Sequence, residues 1–462
     1  MNIYDKQTPS SGITYQQLLD QETVPVPAHL RQTRNPEIGT MRLDPANYTS
    51  PQQHHLEMEH VWKKVWQFAC RVEEIPEVGD HLLYEVGDLS LIVVRSDANT
   101  IKAFFNSCLH RGRRLVSEPG NKQNFRCPYH AWTWGLDGSN KFIPCKSDFA
   151  HAEESELQLP EAKVAVWQGF VFVNPDSNCG PLEEFLQVLP EHLDRYDLDQ
   201  CYKALHISKV IPCNWKAALE AFMESYHVIA THPQLLTFMG DANAQYDLLS
   251  DHVSRSMTSN AVNSPHIEPP PQQQIMEDTL RESGRVFTAG ELQVPEGTNA
   301  RKFLAALNRE QFGEMFRRDF SQATDAELLD AILYWLFPNI EIWGGYLANI
   351  VYRSRPNGHD PDSCIFEIMV LQRVPTGDPI PRGVPVHVLG EHERFTDAEE
   401  LGILGKVFDQ DLDNLPDVQK GMKVAEMNGA SGLILGNYQE ARILQLHQML
   451  ERYIQQGEQA KS

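Results

Sequence analysis

The sequence predicts an α+β fold in two parts, a small antiparallel β domain followed by a larger domain in which helices accompany an antiparallel sheet. Two observations carry this. Between residues 78 and 175 short apolar runs (HLLYEVG, LSLIVVRS, IKAFFNS, VAVWQGFVFVNP) are cut by Gly, Asp and Asn, the rhythm of antiparallel strands. Beyond about residue 205, helical segments mix with ANIVYRSRPNG and CIFEIMVLQRVP, two alternating runs around a PNG turn.

Each element follows in order. Residues 1–45, with polar stretches and VPVPAHLRQ, suit an extended arm. YTSPQQHHLEMEHVWKKVWQFA predicts a helix with Trp62 and Trp66 on one face, opening the β domain of residues 46–180. GPLEEFLQVLPEHLDRYDLD reads as a connecting helix into a second domain, 181–462, where WKAALEAFMESYHV is helical. Residues 240–300, polar and in part Pro-rich (PHIEPPPQQQ), predict a mobile loop or lid. Three capping boxes mark helix starts: Thr324 with Glu327, Thr396 with Glu399 before LGILGKVFDQDLDNL, and Asn437 with Glu440 before ARILQLHQMLERYI.

Composition excludes several functions. The chain has 462 residues, 41% hydrophobic and 22% charged, ordinary for a globular protein of two or three domains. A net charge of −23 argues against nucleic acid or an anionic membrane as partner. No apolar run approaches the roughly 18 residues of a membrane span, and the N-terminus lacks a signal peptide's basic and apolar regions. Eight scattered cysteines (70, 108, 127, 145, 179, 201, 213, 364) do not form a disulfide scaffold. A cytoplasmic protein with reduced thiols, some available to metal, is expected.

The stretch CLHRGRRLVSEPGNKQNFRCPYHAW pairs Cys108 with His110 and Cys127 with His130, with 16 residues between the pairs. Two loops that each offer a thiolate and an imidazole can hold tetrahedral zinc or a [2Fe-2S] cluster of the Rieske kind, with two cysteines on one iron and two histidines on the other. A cysteine and a histidine one residue apart suit two adjacent irons better than a single small ion. Gly112, Pro119, Gly120 and Pro128 supply tight loops, and Tyr129, Trp132 and Trp134 are available to cover the apolar side.

A second constellation lies in ESYHVIATHP. On a helix Glu224 and His227 share a face. His232, five steps of about 100° later, falls roughly 140° away. Both imidazoles meet one point only if the helix loosens or ends near His232, which Pro233 favours.

The pattern Cys-X-His…Cys-X2-His within FNSCLHRG and CPYHAWTWGLDG resembles the Rieske domain of ring-hydroxylating oxygenase large subunits, over residues 45 to 180. The resemblance implies a second, helix-grip-like catalytic domain whose mononuclear iron is held by two histidines and a carboxylate. Its motif begins with Asn-Trp and continues to an acid, Tyr-His, four residues and His. Asn214, Trp215, Glu224, Tyr226, His227 and His232 match it. Such a triad leaves open positions for O₂.

The third ligand must come from elsewhere. In the helix expected after Thr396, Leu401, Leu404, Phe408, Asp411 and Leu415 form one stripe toward the core, where a carboxylate needs compensation. Asp409 and Asp413 compete but lie off the stripe. By resemblance the family ligand stands eight residues before a glutamine, as Asp411 does before Gln419.

Glu224 replaces the aspartate of the aromatic dihydroxylases, as in carnitine monooxygenase and related enzymes. The resemblance makes this acid a bridge from a histidine at the catalytic iron to a cluster histidine of a neighbouring subunit in a head-to-tail homotrimer. Glu220, one turn earlier, is either a solvated charge or a support behind that site. The activity implied is that of a terminal oxygenase, which hydroxylates, dihydroxylates or demethylates an aromatic or apolar organic substrate with O₂. No G-x-G-x-x-G fingerprint follows a strand. Electrons are therefore expected from outside the chain, and the resemblance implies a separate NAD(P)H-dependent reductase as their source, directly or through a ferredoxin. The alternative is a non-catalytic zinc-binding or electron-transfer Rieske protein.

Two further features invite a role. Arg111, Arg113, Arg114, Lys122 and Arg126 form a basic run on an acidic protein, suited to an acidic electron donor or simply to nearby acids. Trp335, Phe337 and Trp343 are candidates for an apolar pocket wall or for plain core.

Overall fold

A computed structural model describes residues 12–36, 39, 42–284, 291–429 and 431–461. The N-terminal half holds a seven-stranded sheet. Its order is Gln67–Arg71, Phe170–Asn174, Glu161–Trp167, Thr100–Phe105, Leu89–Asp97, Asp80–Val86 and Gly120–Asn121. Every described pairing in it is antiparallel. A separate three-stranded sheet, Asn124–Arg126, Thr133–Gly135 and Asn140–Phe142, stands beside it.

The second part is built on an eight-stranded sheet. It runs Gln245–Leu248, Val253–Thr258, Ala331–Leu336, Ile340–Gly344, Asn349–Asn357, Asp360–Arg373, Cys201–Ile211 and, in parallel, His387–Leu389. The PNG turn closes the long hairpin as expected, with Gly358 at φ +64°, the left-handed backbone that favours glycine. Helix Leu404–Met427 lies against this sheet and against helix Trp215–Glu220. One continuous apolar core joins both parts, from Trp62 and Phe172 to Trp215 and Tyr334. Buried Glu57 adds a polar tie across the junction, accepting from Lys216 Nζ at 2.6 Å and Trp215 Nε1 at 3.0 Å.

Several local expectations are corrected by tertiary contacts. The N-terminal stretch carries short helices, Tyr15–Leu19 and Ala28–Arg31, that bury Tyr15, Leu18, Leu19 and Leu30. Tyr15 donates to Asp330 at 2.8 Å, and Arg255 donates to the carbonyls of His29 and Gln32. The expected helix over Trp62 and Trp66 ends at Trp62, and Gln67 already begins a strand. The connecting helix is two short ones, Leu182–Leu186 and Leu189–Leu193, broken at Gln187 with φ +53°. Residues 240–300 are no single lid: they supply two strands of the large sheet and helix Gln272–Glu282, whose Ile275, Met276 and Leu280 are buried. Residues 285–290 lie outside the described residues.

The capping boxes fare differently. Thr324 with Glu327 forms as expected. Thr396 with Glu399 does not, because Thr396 Oγ1 donates instead to Asp409 Oδ2 at 2.6 Å, and the helix begins only at Leu404. The C-terminal helix starts at Ala441, later than Asn437 predicts, and Glu440 accepts from Gly436 N.

Candidate functional site

The two Cys/His loops are near copies in backbone. Cys108 N donates to Arg113 O at 2.9 Å and Gly112 N returns to Cys108 O at 2.8 Å. Cys127 N donates to Trp132 O at 2.8 Å and Ala131 N returns to Cys127 O at 3.0 Å. Gly112 and Ala131, each four residues after its cysteine, both turn left-handed, with φ +72° and +62°. The second loop is the tip of the hairpin Asn124–Arg126/Thr133–Gly135. This common turn sets both cysteines and both histidines facing each other despite their unequal spacing.

The loops converge. The rings of His110 and His130 lie 4.6 Å apart, and Trp132 stacks on His110 at 5.2 Å and 5°. Burial and the neighbouring Cys127 push the Cys108 thiol up, against the N–H groups of His110 and Arg111. Burial also opposes Cys127 ionising, yet the N–H groups of Tyr129 and His130 hold that thiol below its ordinary value. His110 Nδ1 is buried with no partner among the described residues. Two close thiols under backbone donors, two imidazoles and an orphaned ring nitrogen fit a two-iron, two-sulfur cluster.

His227, His232 and Asp411 bring one ligand atom each within 4.8 Å of one another. Asp411 Oδ1 lies 3.0 Å from His232 Nε2 and 3.7 Å from His227 Nε2. Their other ring nitrogens are engaged: His227 Nδ1 donates to Glu224 Oε1 at 2.7 Å and His232 Nδ1 to Gln410 Oε1 at 2.9 Å. Gln410 exchanges amide hydrogen bonds with Gln234, which orients its oxygen. Burial works against a proton on His227, but the hydrogen bond and charge of Glu224 and the charge of Asp411 raise its pKa. Two outward-fixed imidazoles and a buried carboxylate form a cation-ready triad.

The local chain explains this geometry only in part. Helix Trp215–Glu220 stops four residues before Glu224, contrary to the continuous helix expected through Val228. Arg442 Nη1 takes Met223 O at 2.9 Å, Tyr246 OH takes Ser225 N at 2.9 Å, and Ser225 Oγ pairs with Thr258 Oγ1 at 2.8 Å. Glu224 then caps the new turn, Oε2 accepting from Tyr226 N and His227 N. A second short helix, Val228–Thr231, ends at His232 before Pro233, where the sequence predicts a break.

Other candidates fall elsewhere. Asp409 accepts from Phe395 N and Thr396, and Asp413 pairs with Arg394; neither faces the histidines. Glu220 is tied to Tyr48 OH and to His447 Nε2 at 2.8 Å. In the basic run, Arg111 covers the Tyr129 ring and Arg114 pairs with Glu85. Gln410 and Gln234 escaped sequence reasoning, since only adjacency to Asp411 and His232 marks them.

The triad opens on a cavity of about 390 Å³, within the range of small-ligand sites. Phe222, Leu333, Trp343, Ile350 and Phe408 are among its walls. Trp335 and Phe337 are not: they pack on each other, and Phe337 stacks on Tyr453. Among the described residues no helix is long and apolar enough to cross a membrane.

Residues 65–165 match the Rieske [2Fe-2S] domain and residues 191–456 the ring hydroxylating alpha subunit (catalytic domain). The glycine betaine monooxygenase oxygenase subunit of Chromohalobacter salexigens is 36% identical over 193 residues, 41% of this chain and 42% of that one. Benzene 1,2-dioxygenase subunit alpha of Pseudomonas putida is 31% identical over 224 residues, 46% and 49% of the two chains. The carnitine monooxygenase oxygenase subunit of Acinetobacter baumannii is 32% identical over 190 residues, 40% and 51%. The chain thus spans about half the length of the curated relatives it matches. A solved quaternary ammonium Rieske monooxygenase shares the fold at TM-score 0.62 and 19% identity, over 91% of this chain and 96% of that one. Naphthalene 1,2-dioxygenase shares it at 0.60 and 18%, over 92% and 95%. Two metal-ready centres in two successive domains, each in the span matched to its family, lead to one conclusion: the chain belongs to the ring hydroxylating alpha subunit family, with a Rieske [2Fe-2S] domain ahead of the catalytic domain.

Proposed function

We propose that this chain is the terminal oxygenase component of a Rieske-type oxygenase. The meeting of His227, His232 and Asp411 at the wall of an apolar cavity carries the reading. When bound, a mononuclear iron there supplies O₂ activation, and a Rieske cluster on Cys108, His110, Cys127 and His130 supplies electrons. Glu224 and Gln410 accept the Nδ1 protons of His227 and His232 and so aim both Nε2 atoms at one point. Phe222, Phe408 and their neighbours keep water from the oxidised bond.

The working unit we propose is a head-to-tail homotrimer in which Glu224 bridges His227 to a neighbouring subunit's cluster histidine. Exposed apolar residues flank both centres: Leu109 and Tyr129 beside the cluster loops, Tyr226 and Ile229 beside His227. Burying such patches against each other favours association. A separate NAD(P)H-dependent reductase, directly or through a ferredoxin, completes the electron supply. The substrate is an organic molecule with a large apolar surface; relatives are named for glycine betaine, carnitine and benzene. Hydroxylation, dihydroxylation and demethylation all suit the site.

Metal and sulfide analysis of anaerobically purified protein tests this. Two cluster irons, two sulfides and one further iron per chain are expected, with substrate-dependent single turnover after reduction. Zinc alone, or a cluster with no third iron, refutes it.

A further inference from the structure

Two side-chain amides line the same cavity with their oxygens unspent. Asn260 and Asn308 are both at least nine-tenths buried, with 8% and 2% exposure. Each donates Nδ2 to one of two consecutive carbonyls, Asn260 to Leu329 O at 2.8 Å and Asn308 to Leu328 O at 2.9 Å. These bonds settle which end of each amide is nitrogen. The remaining atoms, Asn260 Oδ1 and Asn308 Oδ1, are buried with no partner among the described residues.

Each amide is anchored by its Nδ2 bond, and the chain that carries it is tied down as well. Asn260 is held by its backbone, its N–H donating to Asp330 Oδ1 at 2.9 Å and its carbonyl accepting from Arg301 Nη1 at 2.9 Å. Arg301 and Asp330 form a buried two-pronged ion pair. Asn308 sits within helix Ala300–Phe316. Four of the cavity's hydroxyl groups, by contrast, bond to the protein: Thr258 with Ser225, Thr279 to Ile275 O, Ser283 to Leu280 O, and Ser256 as acceptor from Arg442. A buried acceptor without a partner is costly, and two on the lining of one apolar cavity mark a place where a ligand completes the hydrogen bonding.

We infer that Asn260 and Asn308 determine specificity, accepting hydrogen bonds from an N–H or O–H group on an otherwise apolar substrate. The inference rests on the oxygenase reading only for the word substrate; the binding itself needs neither iron nor turnover. A primary amine or a primary amide has donors for both oxygens and a hydroxyl has one for either, whereas a hydrocarbon or a fully methylated ammonium leaves both unpaired.

The test is binding of 2-indanol and indane to the iron-loaded full chain, measured anaerobically by titration calorimetry without reductase. The wild type is expected to hold 2-indanol tighter by on the order of tenfold or more, the scale of one well-made hydrogen bond. At least one of Asn260→Leu and Asn308→Leu, whichever removes the oxygen that takes the single O–H, should bring the ratio toward one while leaving indane bound at least as well. Equal affinity for the two probes in the wild type, no binding of 2-indanol at millimolar concentration, or an undiminished ratio in both variants overturns the inference. The wild-type ratio decides even if a variant fails to fold. Failure of the oxygenase reading shows separately, as a chain that takes up no third iron.

Discussion

His227 and Glu224 are joined by a 2.7 Å bond from Nδ1 to Oε1 within a turn that follows a broken helix. The same carboxylate caps that turn, so one residue fixes both the backbone and the ring of a proposed metal ligand. Replacing Glu224 by Gln leaves one acceptor where two are used. We expect both metal centres to fill and the cluster to reduce, while substrate oxidation in a single turnover falls by orders of magnitude. Near-normal single-turnover rates in Glu224→Gln would remove the relay role.

Cys108→Ala and His130→Ala each delete one of the four groups converging between the two loops. Loss of the Rieske visible spectrum together with turnover is the expected outcome. A normal spectrum and iron content in either variant counts against these ligands.

Asp411→Ala should lose the mononuclear iron while keeping the cluster absorbance. Asp409→Ala should keep the iron and instead destabilise the fold by about 1–3 kcal/mol, because Phe395 N and Thr396 lose a buried acceptor. Asp413→Ala, which removes an exposed pair with Arg394, should do little. Iron analysis with denaturant melts separates the three; iron loss in Asp409→Ala and retention in Asp411→Ala would reverse the assignment.

Gln410 orients His232 without touching the reacting centre. Gln410→Leu should weaken iron binding by roughly 10- to 100-fold, the usual cost of losing such a support, while the cluster spectrum stays unchanged. Iron titration of metal-stripped protein gives the answer, and an unaltered affinity would reduce Gln410 to packing.

Acid should loosen the N-terminal stretch. His192 and His29 lie 5.3 Å apart, and His29 Nε2 meets Tyr196 OH at 3.1 Å. Burial, then Arg255, lowers His192 to about 4. Burial, then His192, Arg255 and Arg195, lowers His29 to about 3. In the unfolded chain both titrate near 6.5. Below that pH the unfolded state takes protons that the folded state refuses, so stability is full above about 6.5 and is lost as pH falls toward 4 and 3. His192→Phe should flatten that decline, and hydrogen exchange at 28–31 should rise in acid before the large sheet opens. A melting temperature unchanged between pH 7 and 4.5 would refute this.

The sequence by itself determined whatever is encoded over a few residues. The ligand types and spacing in Cys108–His110 and Cys127–His130 carry cluster chemistry, and the break at His232–Pro233 follows from what proline forbids. The Leu404–Phe408–Asp411 stripe singled out Asp411 as facing the core, yet the fold buries Asp409 just as deeply, because Phe395 N and Thr396 supply it with donors. Tertiary structure decided what depends on partners far along the chain. Arg442, 219 residues from Met223, takes the carbonyl that would have continued the helix through Glu224. Asp409 draws Thr396 away from its capping box. Gln410 reaches His232 across 178 residues, and Asn260 and Asn308 reach two consecutive carbonyls, those of Leu329 and Leu328, from distant stretches of the chain. Local patterns report a residue's own backbone preferences and burial; which distant donor or acceptor meets it is set only when the sheets and helices pack.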